Sequence, residues 1–120
     1  MSKRVKIYAV DFDGTIVEDA FPKIGKIRPE AAEFLKAIQS LGCQWVLWTC
    51  RAGDYLKEAL DFCLANGLEP SAVNENVVSI VVGKGIDPRK IYADCYIDDH
   101  VAGGKAVFPP VPMSKYAHED

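Results

Sequence analysis

An apolar run, Val5-Lys6-Ile7-Tyr8-Ala9-Val10, stops abruptly at Asp11 and gives way to Asp11-Phe12-Asp13-Gly14-Thr15. Its length and β-branched content suit a strand buried on both faces, as in a parallel sheet covered by helices. Strand-like and helical patterns then alternate. Residues 18–28 form a loop or short flap. Pro29 suits a first helical position, and Ala31, Phe34, Leu35, Ile38 and Leu41 recur at helical spacing until Gly42. Gln44-Trp45-Val46-Leu47-Trp48-Thr49 reads as a second strand. Asp54 is placed to cap a second helix with Leu56, Ala59, Leu60 and Cys63 on one face, closed by Asn66-Gly67. Ser71-Ala72-Val73 reads as a third strand, and residues 77–82 are apolar enough for another. Residues 86–90 suit a single helical turn. Asp94-Cys95-Tyr96-Ile97 is a short strand running into Asp98-Asp99, and Ala106-Val107-Phe108 an edge strand. The proline-rich tail from Pro109 wraps or frays.

This alternation predicts an α/β fold: a three-layer α/β/α sandwich whose central parallel, Rossmann-like sheet is wound with right-handed crossovers. With 120 residues the chain holds one domain, residues 1–120. A domain this size buries roughly two-thirds of its unfolded surface and needs no disulfide or structural metal. A formal charge of −3 argues against nucleic-acid binding, which leaves a basic footprint. Cys43, Cys50, Cys63 and Cys95 show no CxxC spacing, and three of them fall in apolar elements, as reduced core cysteines do. No apolar run approaches the ~20 residues of a membrane span. The expected location is cytoplasmic.

In open α/β sheets ligands bind outside the carboxyl ends of the strands. Asp11, Thr49 and Asp98-Asp99 each fall just there, so three segments deliver polar groups to one rim. In Asp11-x-Asp13 two carboxylates stand close, one able to attack and one to manage protons, and Gly14 lets the chain turn tightly. Alone, the motif also describes a solvated turn. With Asp98 and Asp99 on the same rim, four acids repel one another unless a cation sits among them. An oxygen-only set favours Mg²⁺. Thr49, with the N–H groups of Cys50 and Arg51 after it, can hold a phosphoryl oxygen near a helix start. Lys90, with Lys84 as its rival, can bring an ammonium to the phosphate. Lesser candidates are Arg51 as an anion contact and His100 beside the acidic pair, each otherwise a solvated surface group. Trp45 and Trp48 read as packing, and His118 as part of the tail.

The ordered set Asp11-x-Asp13-Gly14-Thr15, Thr49, Lys90 and Asp98-Asp99 resembles the haloacid dehalogenase (HAD) superfamily of phosphatases along nearly the whole chain. The stretch from Lys90 to Asp99 is similar to its short members and its deoxyribonucleotidase branch. The resemblance implies that Asp11 attacks phosphorus to give an aspartyl phosphate. Asp13 then protonates the leaving oxygen and later activates water. It implies Mg²⁺ held by Asp11, the Asp13 carbonyl, and Asp98 or Asp99, with Thr49 and Lys90 on the phosphoryl group. The intervals 13–29 and 73–91 leave no room for the usual cap domain. A capless site accepts a bulky phosphorylated substrate or is covered by a neighbouring subunit, as in a homo-oligomer. Two other readings compete. A receiver-type phosphoaccepting domain has similar parts, but places its acidic pair first and its acceptor Asp mid-chain. A catalytically silent Mg²⁺-binding domain would keep the same residues without turnover.

Overall fold

The computed structural model describes residues 4–117. The apolar run before Asp11 becomes β1 (Ile7–Val10), every residue of which is buried. It lies inside a four-stranded, all-parallel sheet with β2 (Gln44–Leu47), β3 (Ala72–Val73) and β4 (Cys95–Ile97), in the order β3-β2-β1-β4. Ile7 pairs with Gln44 and Val10 with Leu47 on one side, and Val10 with Ile97 on the other.

Helices α1 (Pro29–Leu41) and α2 (Gly53–Ala65) connect β1 to β2 and β2 to β3. Their buried Phe34, Leu35, Ile38, Ala59 and Cys63 pack with Tyr8, Val10, Trp45 and Leu47. Helix α3 (Val78–Lys84) joins β3 to β4, and its Ile80 packs with Ile7, Ala9 and Val46. Alternate residues of β1 and β2 thus face opposite helical layers, as the two-residue period of a strand demands. This is the three-layer, Rossmann-like sandwich read from the sequence.

Chain direction reverses its progress across the sheet at β1: β2 and β3 are laid down on one side, and β4 on the other. That reversal makes the carboxyl ends of β1 and β4 a topological switch point, where α/β sheets bind ligands.

Several local expectations are corrected. Residues 77–82 are not a strand; most of them lie in α3, since β4 runs parallel to β3 at the opposite edge of the sheet and can be reached only by a crossover. Val77, at the N-cap, and Ile80 are buried while Val78 and Val82 face out. Residues 86–90 form bends rather than a helical turn, and residues 106–108 pair with no strand. Phe108 instead packs its ring on Phe34, 5.5 Å away. Asp54 makes no cap; Ala52 is the N-cap and Asp54 sits in the first turn, where its charge suits the helix dipole. Gly42 does end α1, at φ 93°.

The tail wraps. Lys6 N–H donates to the Lys115 carbonyl at 2.6 Å and Ala117 N–H to that of Arg4 at 2.8 Å. All four cysteines are free, with Cys43 and Cys63 buried. Among the described residues, no helix is long and apolar enough to cross a membrane. His118 lies outside the described residues.

Candidate active site

The cleft begins where β1 ends. Asp11 N–H donates to the Ile97 carbonyl at 3.0 Å, continuing the β1–β4 ladder by one residue and setting Asp11 next to Asp98. Phe12 is then buried in the core, and its carbonyl accepts from Ile16 at 2.9 Å, which folds 12–16 into a tight turn. Gly14 takes φ 83° in that turn. A side chain there would be strained and would overlap the Asp99 carboxylate.

Two adjoining cavities, of about 230 and about 250 Å³, share Asp11, Thr49, Cys50 and His100 as walls. The first adds Asp13, Asp19, Phe21 and Arg51; the second adds Trp48, Asn74 and Asp98. Loops after β1, β2, β3 and β4 thus meet at one cleft, as expected for Asp11, Thr49 and the acidic pair.

Three acids converge tightly. The Asp11 carboxyl is pushed up to about 8 by burial first, then by the charge of Asp98 and by contact with Asp99; the Phe12 N–H and the Thr15 hydroxyl oppose the rise. That hydroxyl donates to Asp11 Oδ2 at 3.1 Å. Asp98 Oδ1 accepts from the His100 N–H at 2.9 Å. Asp99 Oδ1 is buried without a hydrogen-bond partner. Side-chain ligand atoms of Asp98, Asp99 and His100 lie within 4.8 Å of one another. A buried carboxylate oxygen left unsatisfied costs roughly 1–3 kcal/mol or more, so the cluster is incomplete as protein alone. A hard cation fits it: the orphaned oxygen and the carboxylates beside it are the donors that Mg²⁺ takes.

Asp13 departs from the expected set of four. Its carboxylate turns to Arg51, accepting from Nε at 2.7 Å and from Nη2 at 2.8 Å. Arg51, expected to meet a substrate anion or solvent, is only 3% exposed. It forms part of the cleft wall, but Nη2 also donates to the Lys23 carbonyl at 3.1 Å and Nη1 to that of Tyr55 at 3.3 Å. Four of its five N–H donors serve the protein.

Thr49 stands where expected, its Oγ1 accepting from the Arg51 N–H at 3.0 Å and its N–H donating to Asn74 Oδ1 at 2.8 Å. Lys90 and Lys84 line neither cavity. The Lys90 ammonium stacks 5.3 Å from the Tyr96 ring. That of Lys84 stacks on Tyr92, whose hydroxyl joins Arg4 and Asp94 at the amino end of the sheet. Trp45 is core, its Nε1 donating to Gln39 Oε1 at 2.8 Å, whereas Trp48 reaches the cleft.

Against known proteins, one likeness covers most of the chain. The solved structure of a conserved protein from Bacteroides thetaiotaomicron is 42% identical and superposes with a TM-score of 0.73. The match spans 84% of this chain and 81% of that one. The chain belongs to the same family as that Bacteroides protein. No protein-family model matches the sequence, and no curated protein matches it.

In this member of the family the cleft holds residues that sequence reasoning passed over. Asn74, at φ 54°, follows β3 directly and fixes the Thr49 loop. The strand-end logic that singled out Asp11, Thr49 and Asp98 applied to it equally. Asp19 and Phe21 come from the segment after the first motif. There Val17 pairs with Ile27, and Glu18 N–H donates to the Lys26 carbonyl at 2.8 Å. The expected flap is therefore an antiparallel ribbon whose tip reaches the cleft.

Proposed function

We propose that this protein is a Mg²⁺-dependent phosphatase of HAD type, hydrolysing phosphate monoesters through an aspartyl phosphate on Asp11. The observation that carries this reading is the meeting of Asp11, Asp98 and Asp99 at the switch point, with Asp99 Oδ1 buried and unpartnered. Asp11, Asp98 and Asp99 would hold the ion, with the main-chain carbonyl of Asp13 as the resemblance implies. Bound there, Mg²⁺ supplies charge neutralisation to the carboxylates and the phosphoryl oxygens.

The chain's own groups then divide the work. An Asp11 oxygen bonds to phosphorus as the ester P–O bond breaks, and Asp13, which must take up a proton and release one of its two Arg51 hydrogen bonds as substrate binds, gives that proton to the leaving oxygen. Asp13 next takes a proton from the water that attacks phosphorus, freeing Asp11 and inorganic phosphate. A covalent carboxylate splits one hard displacement into two easier ones. Thr49 and Cys50 line the wall where phosphoryl oxygens would lie, and positioning of this kind is most of what phosphoryl transfer asks of a protein. The open cleft suits a bulky substrate or a covering subunit. A cytoplasmic setting, with reduced thiols, goes with this reading.

The sheet order weighs against a receiver domain, whose doubly wound sheet runs 2-1-3-4-5 and so sets β1 beside β3; here β1 lies beside β2 and β4. A silent Mg²⁺-binding domain is the second reading. Hydrolysis of p-nitrophenyl phosphate with Mg²⁺, by wild type and Asp11→Asn, decides between them. Loss of turnover in the variant supports the proposal. Equal activity removes Asp11 as nucleophile, and no activity in either protein favours the silent domain.

A further inference from the structure

We propose that Arg51 is a positioning residue that aims the Asp13 carboxylate and latches the flap of residues 18–28 over it. The role in catalysis rests on the phosphatase reading; the latch does not. Arg51 lies just beyond the carboxyl end of β2, yet it grips both the turn that leads into the flap and the flap's tip. At the root it holds Asp13 through two parallel bonds, the fork geometry that lysine cannot reproduce. At the tip it bonds the Lys23 carbonyl, and its guanidinium carbon stands 5.0 Å from the Phe21 ring centre and 5.2 Å from that of Phe12. Phe21 in turn meets the Tyr55 ring edge-on at 5.4 Å, and the Tyr55 carbonyl takes a further Arg51 donor.

A guanidinium so buried, with four donors committed and two rings against it, is built to hold protein parts together rather than to capture a mobile anion. Its ion-pair partner is the carboxylate that the proposed chemistry uses for proton transfer. A tip that lifts must therefore loosen the grip on Asp13, and a misplaced Asp13 must free the tip.

The test uses Arg51→Met, Arg51→Lys and Asp13→Asn, read by amide hydrogen exchange and by steady-state kinetics on p-nitrophenyl phosphate. Arg51→Met should speed exchange at the flap amides of Glu18 and Lys23, leaving the Trp48 amide, bonded to Val10, as slow as in wild type. Asp13→Asn should speed the same flap amides, and adding it to Arg51→Met should change them no further. In turnover, Arg51→Met should lower kcat by about 10²-fold, the scale of a catalytic group misplaced by ~1 Å, with KM nearly unchanged. Arg51→Lys, which keeps the charge and loses the fork, should not restore kcat. If Arg51→Met fails to fold, Phe21→Ala should speed flap exchange in the same direction. Flap exchange unchanged in the folded variants would overturn the latch. A raised KM with kcat intact would overturn the positioning role and return Arg51 to anion binding. Absence of turnover in wild type would sink the phosphatase reading and the kinetic role, while exchange still decides the latch.

Discussion

The Asp99 carboxylate packs directly on the bare Cα of Gly14, so the acidic pair after β4 and the turn after β1 fit together only because residue 14 has no side chain. The same glycine carries φ 83°, which a Cβ resists. Gly14→Ala should cost roughly 1–3 kcal/mol of stability, combining backbone strain with displacement of Asp99. Gly83, inside α3 with open space around its Cα, gives the contrast: Gly83→Ala should stabilise by roughly 0.4–1 kcal/mol. Urea denaturation of both variants checks the pair.

The raised Asp11 carboxyl makes the metal-free protein sensitive to alkali. Its folded value, about 8, lies above the ordinary value of about 4 for an unfolded aspartate. Between those limits the folded state binds more protons, so stability falls as pH rises through the window. Without divalent ions the melting temperature should drop from pH 5 to pH 8 (about the two ends of that window). Added Mg²⁺ should raise it more at the alkaline end. Equal stabilisation by Mg²⁺ at both ends would contradict the carboxylate cluster as its site.

Asp94 behaves in the opposite sense. Burial alone would raise its carboxyl, but hydrogen bonds from Arg4, from the Ile7 N–H and from Tyr92 outweigh it and hold it below the usual carboxylate range. Arg4 donates at 2.7 and 2.9 Å and the Ile7 N–H at 2.7 Å, tying the start of β1 to the start of β4. That stability is present above the unfolded value and is lost as pH falls through the folded one. Asp94→Ala should destabilise by roughly 1–3 kcal/mol and flatten the acid limb of a stability–pH profile, since it leaves the Ile7 N–H without its acceptor.

Asp13→Asn should slow turnover by roughly 10²–10⁴-fold, the usual worth of positioned proton transfer, with its circular dichroism spectrum unchanged. A variant that unfolds would mark the Asp13–Arg51 pair as structural first.

How much of this was legible in the sequence follows the range of the interactions. β1, α1, β2 and α2 were readable because their patterns are local: an unbroken apolar run, or Ala31, Phe34, Leu35 and Ile38 at helical spacing on one buried face. α3 was not, because Val77, Val78, Val81 and Val82 carry β-branched side chains, and only the need to cross from β3 to β4 makes the segment a helix. The convergence of Asp11 with Asp98 and Asp99 was readable because strand ends share a rim. The Asp13–Arg51 pair was not. Those residues stand 38 apart, and their meeting depends on how the flap folds back, which no periodicity encodes.

The proposed chemistry depends on Asp11 bonding to phosphorus. Acid-quenched single turnovers with p-nitrophenyl phosphate and Mg²⁺, followed by peptide mass mapping, test that bond directly. The expected result is a hydroxylamine-labile phosphate on the peptide containing Asp11, accumulating when Asp13 is replaced by Asn and absent from Asp11→Asn. Phosphate released at the wild-type rate with no label at Asp11, or a label on another residue, would contradict it.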